Sequence, residues 1–427
     1  MKATNGAPAK KSLAVAFFCA AVYFCSYLTR KDFSVALVAI TEATGFPDSA
    51  IAFVPTCLFF TYGIGQTVNG AIGDHVKPHW LMTGGLLLSA ACNLVLPHCP
   101  GVPAMCVVWG INGFAQAMLW PPMSKIMIYT YSGTQYGTAS MIISLGASLA
   151  TVAGYLYIPA ILSVASWQTV FYFGAVVVVI CAVAWFIYST HHNIAGSNTP
   201  EVAAATDTPS TAKSPKMPLP AVILNEADSI GFILLDVVLV GMLRDGIETW
   251  TPTFLKEIFG GSAERSILIT VILALLGCAC VVLTTLVYRR FFRNELVFCG
   301  TVFLIATVFA LVLLFANGKS MPLCAVTISM LSAVMHGANL ALTAYVPKKM
   351  KRFGHVSTVS GVINSAGYLG ALNIHHSEHK GNSRLEHHDN RMGSACRPRD
   401  PALGSRSDIL APAHKAVRYT GRIVRSI

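Results

Sequence analysis

Tyr23-Phe24-Cys25-Ser26-Tyr27-Leu28-Thr29-Arg30-Lys31-Asp32-Phe33 lies inside an apolar run from Leu13 to Ile40, long enough to cross a bilayer. Cations are expensive there, roughly 2.5–3.5 kcal/mol each at the centre of a spanning helix on insertion scales. A chain keeps them where they face a protein-lined, water-filled cavity and meet something negative. The pattern recurs in the second half. The apolar run beginning at Ser229 carries Arg244 within Gly241-Met242-Leu243-Arg244-Asp245-Gly246. One arginine therefore sits in the first helix of each half.

Of the 427 residues, 54% are hydrophobic and only 11% charged, against about 25% charged in soluble domains. That composition belongs to a polytopic protein whose surroundings are the lipid bilayer. A net charge of +11 points to nucleic acid only when the cations form a patch on a soluble domain. Here they lie mainly between apolar runs and in the tail, so no nucleic-acid partner is expected. The cysteines include no Cys-x-x-Cys pair, and nearly all lie before the tail, mostly inside apolar runs. Core packing is their expected role, not metal or disulfide chemistry. Lys2, Lys10 and Lys11 ahead of a hydrophobic run resemble a signal peptide, but the run is too long and no small-residue cleavage pattern closes it. An uncleaved first helix is expected.

Runs of spanning length predict an all-α membrane protein with helices near 13–40, 49–72, 79–98, 102–129, 136–162 and 167–188, then 229–253, 264–288, 295–316, 321–346 and 355–372. This gives a six-helix bundle over 1–188 and an incomplete bundle over 229–372. Between them, 189–228 has the composition of a flexible linker, and 373–427 that of a polar, basic, disordered tail. Basic residues set the orientation. They crowd the connections after even-numbered helices, from Lys77 and Lys125 to Lys351 and Arg352, while those after odd-numbered helices hold only Lys256, Arg265 and Lys319. The amino terminus and the linker are thus expected in the cytoplasm. An eleven-helix count would place the basic tail outside, against the same rule. The natural carboxyl terminus, with a twelfth helix, is therefore expected to have been lost after about residue 372 through a frameshift or a misread gene.

Two pseudo-symmetric bundles place a substrate site near the midplane, where helices 1 and 7 face one another. Arg30 and Arg244 would then converge on one anion, and the planar guanidinium fork suits phosphate oxygens. The local alternative pairs Arg30 with Asp32 and Arg244 with Glu248, the latter at i+4. Lys31 adds positive potential or pairs with Asp32. Tyr23 and Tyr27 share roughly one helical face with Arg30 and are candidates to bind the ligand. Tyr62 in helix 2 and Trp120 in Leu119-Trp120-Pro121-Pro122 are further candidates, and the two prolines are expected to break or kink helix 4. Gly70-Ala71-Ile72-Gly73-Asp74-His75-Val76-Lys77 joins helices 2 and 3. Gly70 permits close approach of helix ends, and Asp74 can hold a neighbouring helix terminus as a conformational latch.

Taken together, Tyr27 to Phe33, Tyr62-Gly63-Ile64-Gly65-Gln66, Gly70 to Asp74, Asn112 to Gln116 with Trp120-Pro121-Pro122, Leu243 to Glu257, Pro347-Lys348-Lys349 and Gly367-Tyr368-Leu369-Gly370 resemble the organophosphate:phosphate antiporters of the major facilitator superfamily. The resemblance extends from about residue 13 to 371. It implies a monomeric, multi-pass carrier of the bacterial inner membrane that exchanges an organic phosphate ester for inorganic phosphate. It also implies that Arg30 and Arg244 bind phosphate while Tyr23, Tyr27, Tyr62 and Tyr368 line the cavity. The sequence departs from the glycerol-3-phosphate carriers of that family, which have a lysine where Gln66 stands, a tyrosine where Gly241 stands, and a histidine in helix 5 that is missing between Gln135 and Leu162. The phosphate-binding core is kept while the part that selects the organic group is altered.

No Walker loop, dinucleotide fingerprint, nucleophile elbow or zinc-protease motif occurs, so an enzyme is not expected and no cofactor is implied. The tail histidines His375, His376, His379, His387 and His388 lack an accompanying ligand set, and no metal site is expected. Three other functions stay open. They are a sugar-phosphate sensor of the same fold, a proton-coupled facilitator using Asp236, and a non-functional truncated carrier.

Overall fold

The computed structural model describes residues 7–192, 194, 227–259, 263–292, 294–316, 319–353 and 355–370, and among them it is helical, with no strand. Linker residues 195–226 and the tail 373–427 lie outside the described residues. Eleven long helical segments follow the predicted runs. These are α1 (Ala7–Thr44), α2 (Phe53–His75), α3 (Pro78–Val95), α4 (Val102–Ala117 and Trp120–Thr130), α5 (Gly133–Leu162) and α6 (Trp167–His191). The second half contributes α7 (Ala227–Phe259), α8 (Ala263–Phe291), α9 (Glu295–Ala316), α10 (Met321–Leu340) and α11 (356–370). Among the described residues, seven segments are long and apolar enough to cross a membrane by length and composition alone. α2 is less apolar because Gly63, Gly65, Gln66, Asn69, Gly70 and Gly73 occupy its buried face.

Local chemistry accounts for the shapes. In α1 the hydroxyls of Thr29, Thr41 and Thr44 donate back to the carbonyls of Ser26, Leu37 and Ile40 at 3.1, 3.0 and 2.7 Å, so the polar side chains are satisfied within the helix. Gly45 ends it with φ +68°, a left-handed conformation that glycine adopts without penalty. α4 breaks where its prolines predict. Pro121 and Pro122 open the second piece, where a missing N–H costs no helical hydrogen bond. The Met118 and Leu119 amides tighten the break by bonding to Ala115 and Gln116 carbonyls at 3.1 and 3.2 Å. α10 passes through a π turn at Ala341–Tyr345 before Val346–Lys349, the kind of irregularity that often marks functional sites.

α1 packs on α5 and α6, α2 on α4, and α3 on α6, while α10 packs on α7, α8 and α9. α5 crosses to α8, and α2 crosses to α11. Large apolar side chains line the outside, including Val176, Ile180, Val183 and Ile187 on α6 and Leu304, Val308 and Phe315 on α9. Exposed apolar side chains on several helices fit lipid as solvent.

Candidate substrate site

Near the middle of α1, Arg30 turns inward and is 5% exposed. Its Nε donates to Gln116 Oε1 of α4 at 2.8 Å, and its Nη1 donates to the Tyr368 hydroxyl of α11 at 3.0 Å. The guanidinium lies over the rings of Tyr27 and Tyr62, 4.3 and 4.2 Å from their centroids. Nη2 makes no hydrogen bond to a described residue. Among the described residues no carboxylate pairs with Arg30. Among the described residues the charge is held only by neutral acceptors and ring faces, a desolvated cation–π contact being worth about 2 kcal/mol or more.

Arg244, on α7, is equally buried. Its Nε and Nη2 bond to the two carboxylate oxygens of Asp245 at 2.7 and 3.0 Å, and its guanidinium stands 5.7 Å from the centroid of the Tyr368 ring. Tyr368 therefore touches both arginines, one through its hydroxyl and the other through its ring. Its ring also meets Tyr62 edge-on at 4.5 Å and Phe59 at 6.1 Å.

The other aromatic candidates continue this lining along α1 and α4. The Tyr23 and Tyr27 hydroxyls are 3.4 Å apart, and Tyr23 packs 5.3 Å from Trp120. Lys31 is placed elsewhere, leaving α1 on the side packed against Gly154 of α5. The local pairings considered from sequence take a different form. Asp32 is fully buried and accepts a hydrogen bond from Tyr157 of α5, not from Arg30. Arg244 takes the adjacent Asp245 as its carboxylate partner, while the Glu248 side chain lies outside the described ones.

Gln116 was not among the sequence candidates, although it anchors Arg30. Ser26 donates to its Oε1 at 3.4 Å, and its Nε2 reaches Asn112 at 3.4 Å. A buried polar strip on α4, with Asn112 and Gln116 one turn apart, was the available signal.

Asp74 lies at one end of the bundle. Its carboxylate accepts from the Ser357 and Thr358 amides at 2.9 and 3.1 Å and from the Thr358 hydroxyl at 2.5 Å. It thus caps the first turn of α11, whose free N–H groups and positive dipole end favour an anion. Above it a side chain at Gly70 would press on the Ser357 carbonyl at 2.8 Å, and one at Gly361 would strike the Gln66 carbonyl. α2 and α11 touch backbone to backbone here. Lys125 holds the end of α2 by donating to the Gly73 and Asp74 carbonyls at 2.8 and 3.2 Å. At the same end the Tyr136 hydroxyl donates to the Ala344 carbonyl in the π turn at 2.5 Å, and Lys348 lies 4.1 Å over the Tyr136 ring. The halves are thus joined at the Asp74 end.

Residues 19–372 match the model of the Major Facilitator Superfamily. The chain belongs to that superfamily. Among relatives of this major facilitator, a probable hexose phosphate transport protein of Chlamydia muridarum is 32% identical over 116 residues, 27% of this chain and 25% of that protein. A glycerol-3-phosphate transporter of Bacillus subtilis is 25% identical over 364 residues, 81% of this chain and 80% of that protein. The match to the first thus spans about a quarter of its length, and the match to the second most of it. A proton:xylose symporter of the superfamily shares the fold with TM-score 0.65 at 10% identity, over 89% of this chain and 91% of the symporter. Fold and relatives are those of transporters, not enzymes.

Proposed function

We propose that this major facilitator exchanges an organic phosphate ester for inorganic phosphate by alternating access. It would act as a monomer in the bacterial inner membrane, with its amino terminus in the cytoplasm. Two bundles, 1–188 and 229–372, would rock about the site, joined by the linker 189–228. The observation that carries this reading is the pair of buried arginines one tyrosine apart, one of them without a described counterion.

A phosphoryl group entering between α1 and α7 offers oxygens to both forks. It replaces the Tyr368 hydroxyl on Arg30 and competes with Asp245 for Arg244. Two charge-assisted contacts from opposite halves then favour the conformation in which the halves approach. The anion promotes reorientation only by binding that intermediate more tightly than either open state. An empty site leaves the Arg30 charge uncompensated in a low-dielectric setting, which disfavours the same intermediate. Exchange is thus favoured over leak. Tyr23, Tyr27, Tyr62 and Trp120 line the path, Lys31 adds positive potential, and Gly70 with Asp74 latches one end.

The test is uptake of labelled phosphate into phosphate-loaded proteoliposomes, challenged with phosphorylated three- and six-carbon compounds. Arg30→Lys and Arg244→Lys should each reduce exchange at least about tenfold, since lysine loses the bidentate fork. Near-normal exchange in both variants would remove the clamp.

A further inference from the structure

Asp32 of α1 is fully buried, and its Oδ1 accepts a hydrogen bond from the Tyr157 hydroxyl of α5. Its Oδ2 has no hydrogen-bond partner among the described residues. A side chain at Gly174 of α6 would come within 2.6 Å of that oxygen, so the carboxyl fills the space the glycine leaves. Around it Phe33, Ile158, Val170 and Phe171 are fully buried and apolar. Among the described residues no cation pairs with Asp32. The titratable and charged side chains on the elements around it are few. On α1 itself, Arg30 turns to the cavity and Lys31 leaves towards Gly154. On α5, Tyr157 faces Asp32 while Tyr155 packs beside Val152 and Val271. On α6, Tyr172 turns to His98 at 3.2 Å. Tyr157 is half-buried and lies near the end of α5 away from Asp74, so its hydroxyl is the route from solvent to the buried carboxyl.

We propose that Asp32 is a proton-binding site, filled and emptied together with the phosphoryl site, so that each phosphorylated solute crosses with a proton. The inference rests on a phosphoryl group binding at Arg30. Arg30 stands two residues before Asp32 and about 200° around the helix, which sets the two charged groups about 10 Å apart. With the site empty, the Arg30 charge acts across this low-dielectric path and favours an ionised Asp32. A bound phosphoryl group cancels that field. The carboxylate is then a buried charge with one hydrogen bond, a costly state. It takes up a proton through Tyr157, whose hydroxyl passes its own proton to Oδ1 and gains another from solvent water. An O–H bond forms on Asp32, and Oδ2 becomes a neutral carbonyl oxygen, cheaper to bury unpaired. When the phosphoryl group leaves, that O–H bond breaks and the proton returns to solvent by the same route. Linkage is reciprocal, so a protonated Asp32 tightens phosphate by the factor with which phosphate tightens the proton.

The experiment measures proton uptake and Kd for inorganic phosphate on the detergent-purified full chain, wild type against Asp32→Asn. The variant keeps the side-chain volume and the oxygen that accepts from Tyr157, but it cannot take a proton. Ionisation of phosphate itself is common to both proteins and cancels in the comparison. In weakly buffered solution the wild type should take up as much as about one proton more per phosphate bound than the variant. The two Kd values should agree within about twofold near about pH 6, where Asp32 is neutral, and the variant should bind about tenfold more tightly near about pH 9. Equal proton uptake, or a ratio of Kd values that stays flat with pH, overturns the assignment while leaving the arginine site standing. A wild type that binds no phosphate at any pH instead defeats the arginine site, and this inference with it. Should Asp32→Asn fail to fold, Tyr157→Phe removes the hydrogen bond that favours the carboxylate. The pH at which phosphate binding takes up its extra proton should then move upward, and an unmoved profile also overturns the assignment.

Discussion

Tyr368 accepts a hydrogen bond from Arg30 at 3.0 Å across the boundary between the two halves of the chain, while its ring underlies Arg244. A phenol oxygen thus occupies a place suited to a phosphoryl oxygen. Tyr368→Phe removes this internal competitor. The variant should bind phosphate several-fold more tightly, and without phosphate it should melt at lower temperature, since a hydrogen bond to a charged group is worth about 1.5–3 kcal/mol. Titration calorimetry and thermal melts of the purified protein check both signs.

Asp245 grips Arg244 with both carboxylate oxygens. Asp245→Asn removes the counter-charge and adds one net positive charge beside the site. Phosphate affinity should rise several-fold while exchange slows, because the anion leaves less readily. Faster exchange with unchanged affinity would show that Asp245 is remote from the ligand.

The latch has its own signature. Asp74→Ala removes the acceptor of three hydrogen bonds from the start of α11, an interaction worth about 1–2 kcal/mol at a partly buried helix terminus. The Asp74 end should open in about five- to thirty-fold more molecules. Spin labels on α2 and α11 would report this as a longer-distance population that the wild type barely shows.

Gly361→Val places branched bulk against the Gln66 carbonyl. Because the obstacle is backbone, side-chain repacking cannot relieve it, and overpacking costs at least about 1–3 kcal/mol. The variant should retain phosphate binding but lose exchange, since α2 and α11 can no longer close. Binding assays paired with flux assays separate the two effects.

How much was legible beforehand follows the range of each interaction. Spanning helices are written locally as apolar runs, so even the break at Pro121-Pro122 was readable. Arg30 and Arg244 stood out because charge inside such runs is costly. Tyr23 and Tyr27 followed from helical spacing. The pairings of the arginines were not legible, although the resemblance placed Tyr368 in the same cavity lining. Gln116 and Tyr368 reach Arg30 from 86 and 338 residues away, separations that no periodicity encodes. Asp245 escaped for the opposite reason. Helical neighbours three or four apart were expected to meet, whereas the Arg244 fork curls back onto the next residue. Asp32 looked like a partner for adjacent cations, but its side of α1 faces Tyr157 and Gly174.

The central claim is that two guanidinium groups from opposite halves share one phosphoryl group. A double-mutant cycle on phosphate binding tests it most directly, using Arg30→Lys, Arg244→Lys and the double variant in detergent. Groups that grip the same ligand are coupled, so the account predicts at least a tenfold loss for each single variant and a double variant little worse than the weaker single one. Strictly additive losses, or a single variant that binds phosphate normally, would contradict it.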